Sequence, residues 1–361
     1  MGFELGRMAA PVVATTLAVG GGEPGWLLLG GLFLVLGSLV PALVRWAARN
    51  RAAGVASHRS PCRGPTRHSA HAAGGRSGRL VLVLTVPVRQ LGESERRAVE
   101  RLLDLDPFAG AQVAERVAAR GLAWWRAEGR VLGYGTRRNL ESVCWLGGNL
   151  TPVLASEPAV AAFADLLVGE ERLCSSIVGR ADAVLGLWDR LSAAWGPARD
   201  VRPNQPLLVT DALPTVPADP EVRRVRGGEV DRLFPAAVAM YTEEVGVSPL
   251  AEDGGRGYRR RVTDLVRAGR AYARFVDGEV VFKAELAVVT RRTAQVQGVW
   301  VAPEWRGRGI ATAAMAAVVR DALLRAAPTV SLYVNDFNLP ARRVYERCGF
   351  RPVGTLATVL F

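Results

Sequence analysis

From about Leu80 onward, apolar residues in this chain follow two rhythms. Short apolar runs bounded by turn residues read as strands, and longer segments with apolar positions three and four apart read as helices. LVLVLTVPVRQL is a strand, and ESERRAVERLLDLDP opens with an acidic first turn and continues as an amphipathic helix. RVLGYG and ESVCWLGGNLTPVL read as strands and EPAVAAFADLLVGEE as a helix; strand LCSSIVG, helix ADAVLGLWDRLSAAW and closing strand QPLLVT come after them. A second series starts near Val216 with EVRRVRGGEVDRLFPAAVAMYTEEVG, a strand and then a helix, followed by helix GYRRRVTDLVRAG. AYARFVDGEVVFKAELAVVT is a hairpin turning at Asp277-Gly278. TAQVQGVWV (strand), GIATAAMAAVVRDALLRAA (helix), TVSLYVND (strand), NLPARRVYERCG (short helix) and RPVGTLATVLF (closing strands) complete it.

These rhythms divide the chain into residues 1–79, a first globular block over 80–212 and a second over 216–361. PLLVTDALPTVPADPEVRR, with four prolines, marks the boundary between the blocks. LCSSIVGRADAVLGLWDRL and TVSLYVNDFNLPARRVYERC both run strand, turn, then a helix with an aromatic residue near its end, the pattern of a divergent tandem repeat. The expected fold class is α/β (α+β), with mixed, mostly antiparallel twisted sheets flanked by helices.

Residues 1–79 differ in kind. Trp26–Val44 is nineteen residues without a charge, about the length that spans a bilayer, and Arg45, Arg49 and Arg51 come directly after it. A Gly/Ser/Pro/Arg linker without periodicity comes next, of a composition that does not fold. Two readings stay open. One is an inner-membrane anchor holding the rest of the chain in the cytoplasm; the other is an extension of the reading frame upstream of a start near residues 80–83, leaving a cytoplasmic protein.

The net charge of +12 changes the picture little. Residues 1–80 hold nine Arg against two Glu, so most of the excess lies outside the globular blocks. Lys283 is the only lysine, a pattern of codon bias in a GC-rich genome rather than of a nucleic-acid partner. The cysteines, Cys62, Cys144, Cys174 and Cys348, are far apart and form no C-x-x-C, which suits a reducing compartment. His58, His68 and His71 all precede residue 81. A Ser-His-Asp triad, a Cys-His pair or a histidine-bound metal therefore cannot be built in the globular blocks, and no metal is expected.

Candidate chemistry gathers near Arg306-Gly307-Arg308-Gly309. Two glycines between a strand and a helix let backbone N–H groups approach an anion, with a pyrophosphate as the natural guest and arginines at the rim. A P-loop is excluded because Lys283 is far away, and a dinucleotide fingerprint because Thr312 stands where a third glycine is needed.

The order Val299-Trp300-Val301-Ala302-Pro303-Glu304-Trp305-Arg306-Gly307-Arg308-Gly309-Ile310-Ala311 resembles the acetyl-coenzyme A motif of the GNAT superfamily of N-acetyltransferases. Asn338, Ala341, Tyr345, Gly349 and Phe350 match a second signature of that family downstream. The two-block layout is similar to an actinobacterial group whose N-terminal half has no assigned function. The resemblance implies two GNAT-like lobes, the second one catalytic. It implies pantetheine pairing along Val299, Trp300 and Val301, pyrophosphate on Gly307 to Ala311, and further cofactor contacts from Asn338 and Ala341. Tyr345 is then the acid for the departing thiolate, and the acceptor is a small-molecule or peptide amine. A homodimer is compatible with it.

The base is less defined, because Gln295 and Gln297 stand where many relatives place a carboxylate. Glu285 alternates with Lys283 on one strand, so both face one side of the sheet, either as a structural ion pair or with Glu285 as the base. Glu243 and Glu244 end a helix bordering the acceptor side; they read as ammonium-binding groups or as solvated helix surface. Asn335 and Asp336 stand just past a strand end that could face the cleft. The first block lacks any R-G-x-G loop and reads as scaffold or acceptor-side wall, the alternative being a sensing lobe. A second function class remains beside the transferase: a non-catalytic module that senses an acyl-coenzyme A or an amino acid.

Overall fold

Successive side chains of a strand point to opposite faces of its sheet, and in this protein both faces are covered by helices. The computed structural model describes residues 88–123, 129–251 and 253–361. The Trp26–Val44 segment and its linker lie outside them; among the described residues no helix is long and apolar enough to cross a membrane.

In the first block, β1 (Arg89–Gln90), β2 (Arg130–Gly135), β3 (Leu140–Leu146), β4 (Asn149–Val153) and β5 (Ser176–Arg180) lie in sequence order. Val131, Val143 and Trp145 face α1 (Arg96–Leu103) and α2 (Ala111–Arg120). Their neighbours Leu132, Cys144 and Leu146 face α3 (Glu157–Leu167) and α4 (Ala181–Trp195). The sequence reading passes over α2: its core-facing valines are a single turn-spaced pair, Val113 and Val117, and Gly110 stands before it without a capping side chain. Of the first expected strand, β1 alone is described.

The second block repeats the plan with β7 (Arg223–Arg224), β8 (Ala271–Val276), β9 (Glu279–Val289), β10 (Ala294–Val301) and β11 (Val330–Tyr333). α5 (Val230–Val245) and α6 (Arg256–Arg267) pack on one face, against Ala271, Ala273 and Val280. α7 (Ile310–Arg325) and α8 (Leu339–Arg347) pack on the other, against Phe282, Ala284, Leu286 and Leu332.

The two series form one twelve-stranded sheet, in the order β1-β2-β3-β4-β5-β12-β6-β11-β10-β9-β8-β7. β6 (Asp200–Thr210) ends the first block in sequence, yet both its neighbours come from the second: β11 and β12 (Arg351–Leu360). β12 in turn pairs with β5 of the first block, from Leu356↔Arg180 to Leu360↔Ser176. Each block thus holds a strand of the other. Leu207 and Val209 of β6 are buried, each worth about 1.5–3 kcal/mol. Polar contacts reinforce the join. Glu115 of α2 accepts from the Val289 N–H at 2.9 Å and from Arg270 at 2.6 Å, and Asp104 pairs with Arg291.

Candidate active site

β10 and β11 run parallel for two residue pairs, Ala294↔Val330 and Gln295↔Ser331. Beyond Gln295, the β11-facing edge of β10 has no strand partner. The separation is built by a bulge: the register against β9 shifts between Gln297 and Trp300, with Gly298 at φ 58°. A side chain at 298 would be strained by that φ and would meet Lys283 Nζ at 2.9 Å and Met240 Cε at 3.0 Å. Lys283, only 2% exposed, donates from Nζ to the Gly298 carbonyl at 2.9 Å. The one lysine of the chain therefore satisfies the carbonyl that the bulge frees.

After Val301 a short 3-10 turn, Pro303–Trp305, leads through Gly307 (φ 73°) and Gly309 (φ 78°) into α7. The left-handed backbone at both favours glycine. A Cβ at either would meet nothing within 4 Å, so these glycines leave open space above the helix start. The N–H groups of Gly307 to Ala311 find no acceptor among the described residues, as expected for a helix N-terminus. Those donors, the helix dipole and the open space fit a bound anion. Arg308 lays its guanidinium 5.1 Å from the Trp305 ring centroid and has no carboxylate partner among the described residues. Arg306 turns the other way, donating to the Val301 carbonyl at 2.9 Å and to Glu243 at 2.7 Å. Glu243 also accepts from Trp300 Nε1 at 3.0 Å. The residue expected at the phosphate rim and one expected on the acceptor side thus hold each other.

Asn338 caps α8, its side chain accepting from the Ala341 N–H at 3.2 Å. One helical turn past Ala341, Tyr345 packs edge-on to Phe350 with ring centroids 5.9 Å apart. Its hydroxyl has no hydrogen-bond partner among the described residues, and burial pushes its pKa up. The hydroxyl therefore keeps its proton.

Tyr345 lines a cavity of about 1210 Å³ between β10, β11, α5 and the ends of β6 and β12. Val299, Trp300, Asn335, Asn338, Glu243, Glu244 and Glu285 line it as well, so the fold brings about half of the expected groups together here. Gly307 to Ala311, Val301, Ala341 and Asp336 are not among its walls. Asp336 accepts from Asn204 at 2.9 Å, and Asn335 accepts from Gln205 at 2.9 Å.

The carboxylates around the cavity differ sharply. Glu285 is 4% exposed and shares its oxygens between Arg261 at 2.6 Å and Lys283 at 3.5 Å. Burial opposes its charge, but the two cations prevail and hold its pKa below the usual carboxylate range. Glu244 has no hydrogen bond or ion pair from its carboxyl among the described residues. Glu244 is itself exposed at the end of α5, and the protein surrounding it at longer range pushes its pKa up. The Tyr333 hydroxyl is pushed up to about 12 by burial and by the Glu244 charge.

The cavity also has walls that the sequence reading did not name: Arg199, Arg202 and Gln205 from the β6 segment, Arg261 from α6 and Tyr333 from β11. Arg261 carried a legible signal, since a buried acid on β9 requires a cation. Arg199, Arg202 and Gln205 carried none, because the pairing of β6 with β12 brings them there.

Residues 233–350 match the acetyltransferase (GNAT) family, and residues 129–233 match a domain of unknown function (DUF4081). Nothing among curated proteins matches the chain. Among solved structures, a Drosophila protein superposes with a TM-score of 0.54 at 15% identity, covering 76% of this chain and 98% of its own. A GNAT-family acetyltransferase from Colwellia psychrerythraea gives 0.48 at 13% identity, covering 76% and 99%. A predicted acetyltransferase from Clostridium acetobutylicum, solved with acetyl-CoA, gives 0.31 at 17% identity, covering 37% and 90%. With the family match falling on the bulged strand, the amide-lined loop and the helix of Tyr345, residues 233–350 form a GNAT-family acetyltransferase domain, set behind a domain whose function is unassigned.

Proposed function

We propose that the second block transfers an acetyl group from acetyl-CoA to a primary amine by direct attack in a ternary complex. The observation that carries this reading is the unpaired edge of β10 leading into the free N–H groups of Gly307 to Ala311. A pantetheine amide can pair along that edge, a pyrophosphate suits the amides, and Arg308 supplies a cation that no carboxylate of the described residues neutralises. We assign the reaction to the cytoplasm, in keeping with the free thiols of Cys144, Cys174 and Cys348.

The amine nitrogen attacks the thioester carbonyl carbon, the C–S bond breaks, and the ammonium proton must leave. Tyr345, holding its proton, donates it to the departing thiolate. For the base, Glu244 is favoured over Glu285. A carboxylate clamped by two cations has little affinity for a proton, whereas Glu244 is unpaired in the cavity and its pKa is raised. Glu285 then serves as an anchor that balances Lys283 and Arg261 in the sheet.

Calorimetry of the full chain with acetyl-CoA, followed by thiol release over an amine panel, tests the reading. Saturable binding with turnover of at least one amine is expected. Binding without turnover on any amine favours an acyl-CoA or amino-acid sensor, and no binding removes the reading altogether.

A further inference from the structure

We infer that Arg202 and Arg199, contributed by the first block, are positioning residues for Glu244; this rests on Glu244 acting in the transferase reading above. The last carbonyls of a helix have no intrahelical partner. In α5, Gly246 closes the turn in a left-handed conformation, its N–H donating to the Thr242 carbonyl at 2.9 Å. That leaves the carbonyls of Glu244 and Val245 open. Arg202 donates to the Glu244 carbonyl at 2.6 Å, and Arg199 donates to the Val245 carbonyl at 2.9 Å. Cations at a helix C-terminus also suit its dipole.

Arg202 is itself fixed. Its Nε donates to Asp200 at 2.8 Å, and its side chain is 15% exposed. The strand beneath it is locked by Thr358↔Arg202 and Leu360↔Asp200. The exchanged strands therefore carry a rigid fork to the one residue of α5 whose carboxyl is free in the cavity. Around that carboxyl stand Arg202 from β6, Lys283 and Glu285 from β9, Arg261 and Tyr258 from α6, Tyr333 from β11 and Tyr345 from α8. Of these cations, Lys283 and Arg261 are already engaged by Glu285. Arg202 both holds the backbone of Glu244 and opposes the rise of its pKa. A non-catalytic block thereby acts on the chemistry of its neighbour.

The test compares wild type, Arg202→Ala and Arg202→Lys as full chains, with acetyl-CoA and an amine that the wild type acetylates. Arg202→Ala is expected to lower kcat about 10- to 100-fold with the KM for acetyl-CoA unchanged. The acidic limb of its rate profile should move to higher pH, because one cation facing Glu244 is gone. Arg202→Lys restores the charge and should return the limb toward its wild-type position. A merely structural role would lower the melting temperature and leave the limb in place. Wild-type kcat and limb in Arg202→Ala overturn the inference, as does an Arg202→Lys that unfolds or behaves as Arg202→Ala. If the wild type acetylates no amine, the transferase reading has failed by itself. Positioning is then read from the Glu244 carboxyl titration by carbon NMR, where an unchanged midpoint in Arg202→Ala overturns it.

Discussion

Both blocks contain a strand that leaves its parallel neighbour after two residue pairs and runs on into a helix. In the second block it is β10, which parts from β11 after Gln295; in the first it is β4, paired with β5 only at Asn149↔Ser176 and Leu150↔Ile177. The two strands differ in the helix starts they lead to. β10 leads through Gly307 and Gly309 to a helix whose first N–H groups are free and whose entrance is open. β4 leads through Leu154, Ala155 and Ser156 to α3, which begins Glu157-Pro158. Proline removes one of the donors an anion would use, and Glu157 puts a negative charge in the first turn, paired with Arg190 at 2.7 Å. One scaffold thus supports an open helix start suited to an anion or an ordinary one according to a handful of residues.

The comparison can be broken most forcefully by separating the blocks. A chain starting at residue 216 loses β6 and leaves β11 and β12 without their shared partner. It is expected to fail to fold, visible as loss of cooperative thermal unfolding in circular dichroism. Next in size, Gly309→Asp brings to α7 both the strain of φ 78° and the carboxylate that α3 already carries. Acetyl-CoA affinity should fall by more than about 100-fold in calorimetry, and an affinity close to wild type would end the anion-cradle assignment.

Tyr345→Phe probes the chemistry rather than the cradle. Acetyl-CoA affinity should stay within about twofold while kcat drops by roughly 10- to 100-fold, as read from thiol release. The pH profile has a defined sign. If Glu244 is the base, as proposed, it works only when deprotonated and its pKa is raised, so the rate should climb with pH through a midpoint above the ordinary carboxylate value, and Glu244→Gln should abolish that limb. The smallest effect belongs to the first block. Glu157→Gln should cost about 0.3–1 kcal/mol in denaturant unfolding and leave the acetyl-CoA stoichiometry at one per chain. A second binding event would mean that Glu157 alone had closed the first site.

Part of the site was legible without coordinates. The period of two along FKAEL put Lys283 and Glu285 on one face, where the fold has them, and Gly307 and Gly309 announced a turn from strand into helix, which the fold makes with both in the left-handed region. Residues close in sequence can be read this way because their geometry arises from local backbone sterics. The partner of the Gly298 carbonyl at the bulge was harder to see, since it is a lysine fifteen residues away on the neighbouring strand.

The sequence by itself determined the alternating faces, the two series of strands and helices, and the loop that suits an anion. Only the tertiary structure decided that β6 and β12 change places between the blocks, that Arg199 and Arg202 thereby reach α5, and that Glu244 is free while Glu285 is clamped. The reason is physical. Strand order is settled by contacts between residues more than a hundred positions apart, and the pairings of Arg202, Arg199 and Arg261 by contacts 24 to 46 positions apart, so local periodicity carries no record of which distant strand will supply the missing hydrogen bonds.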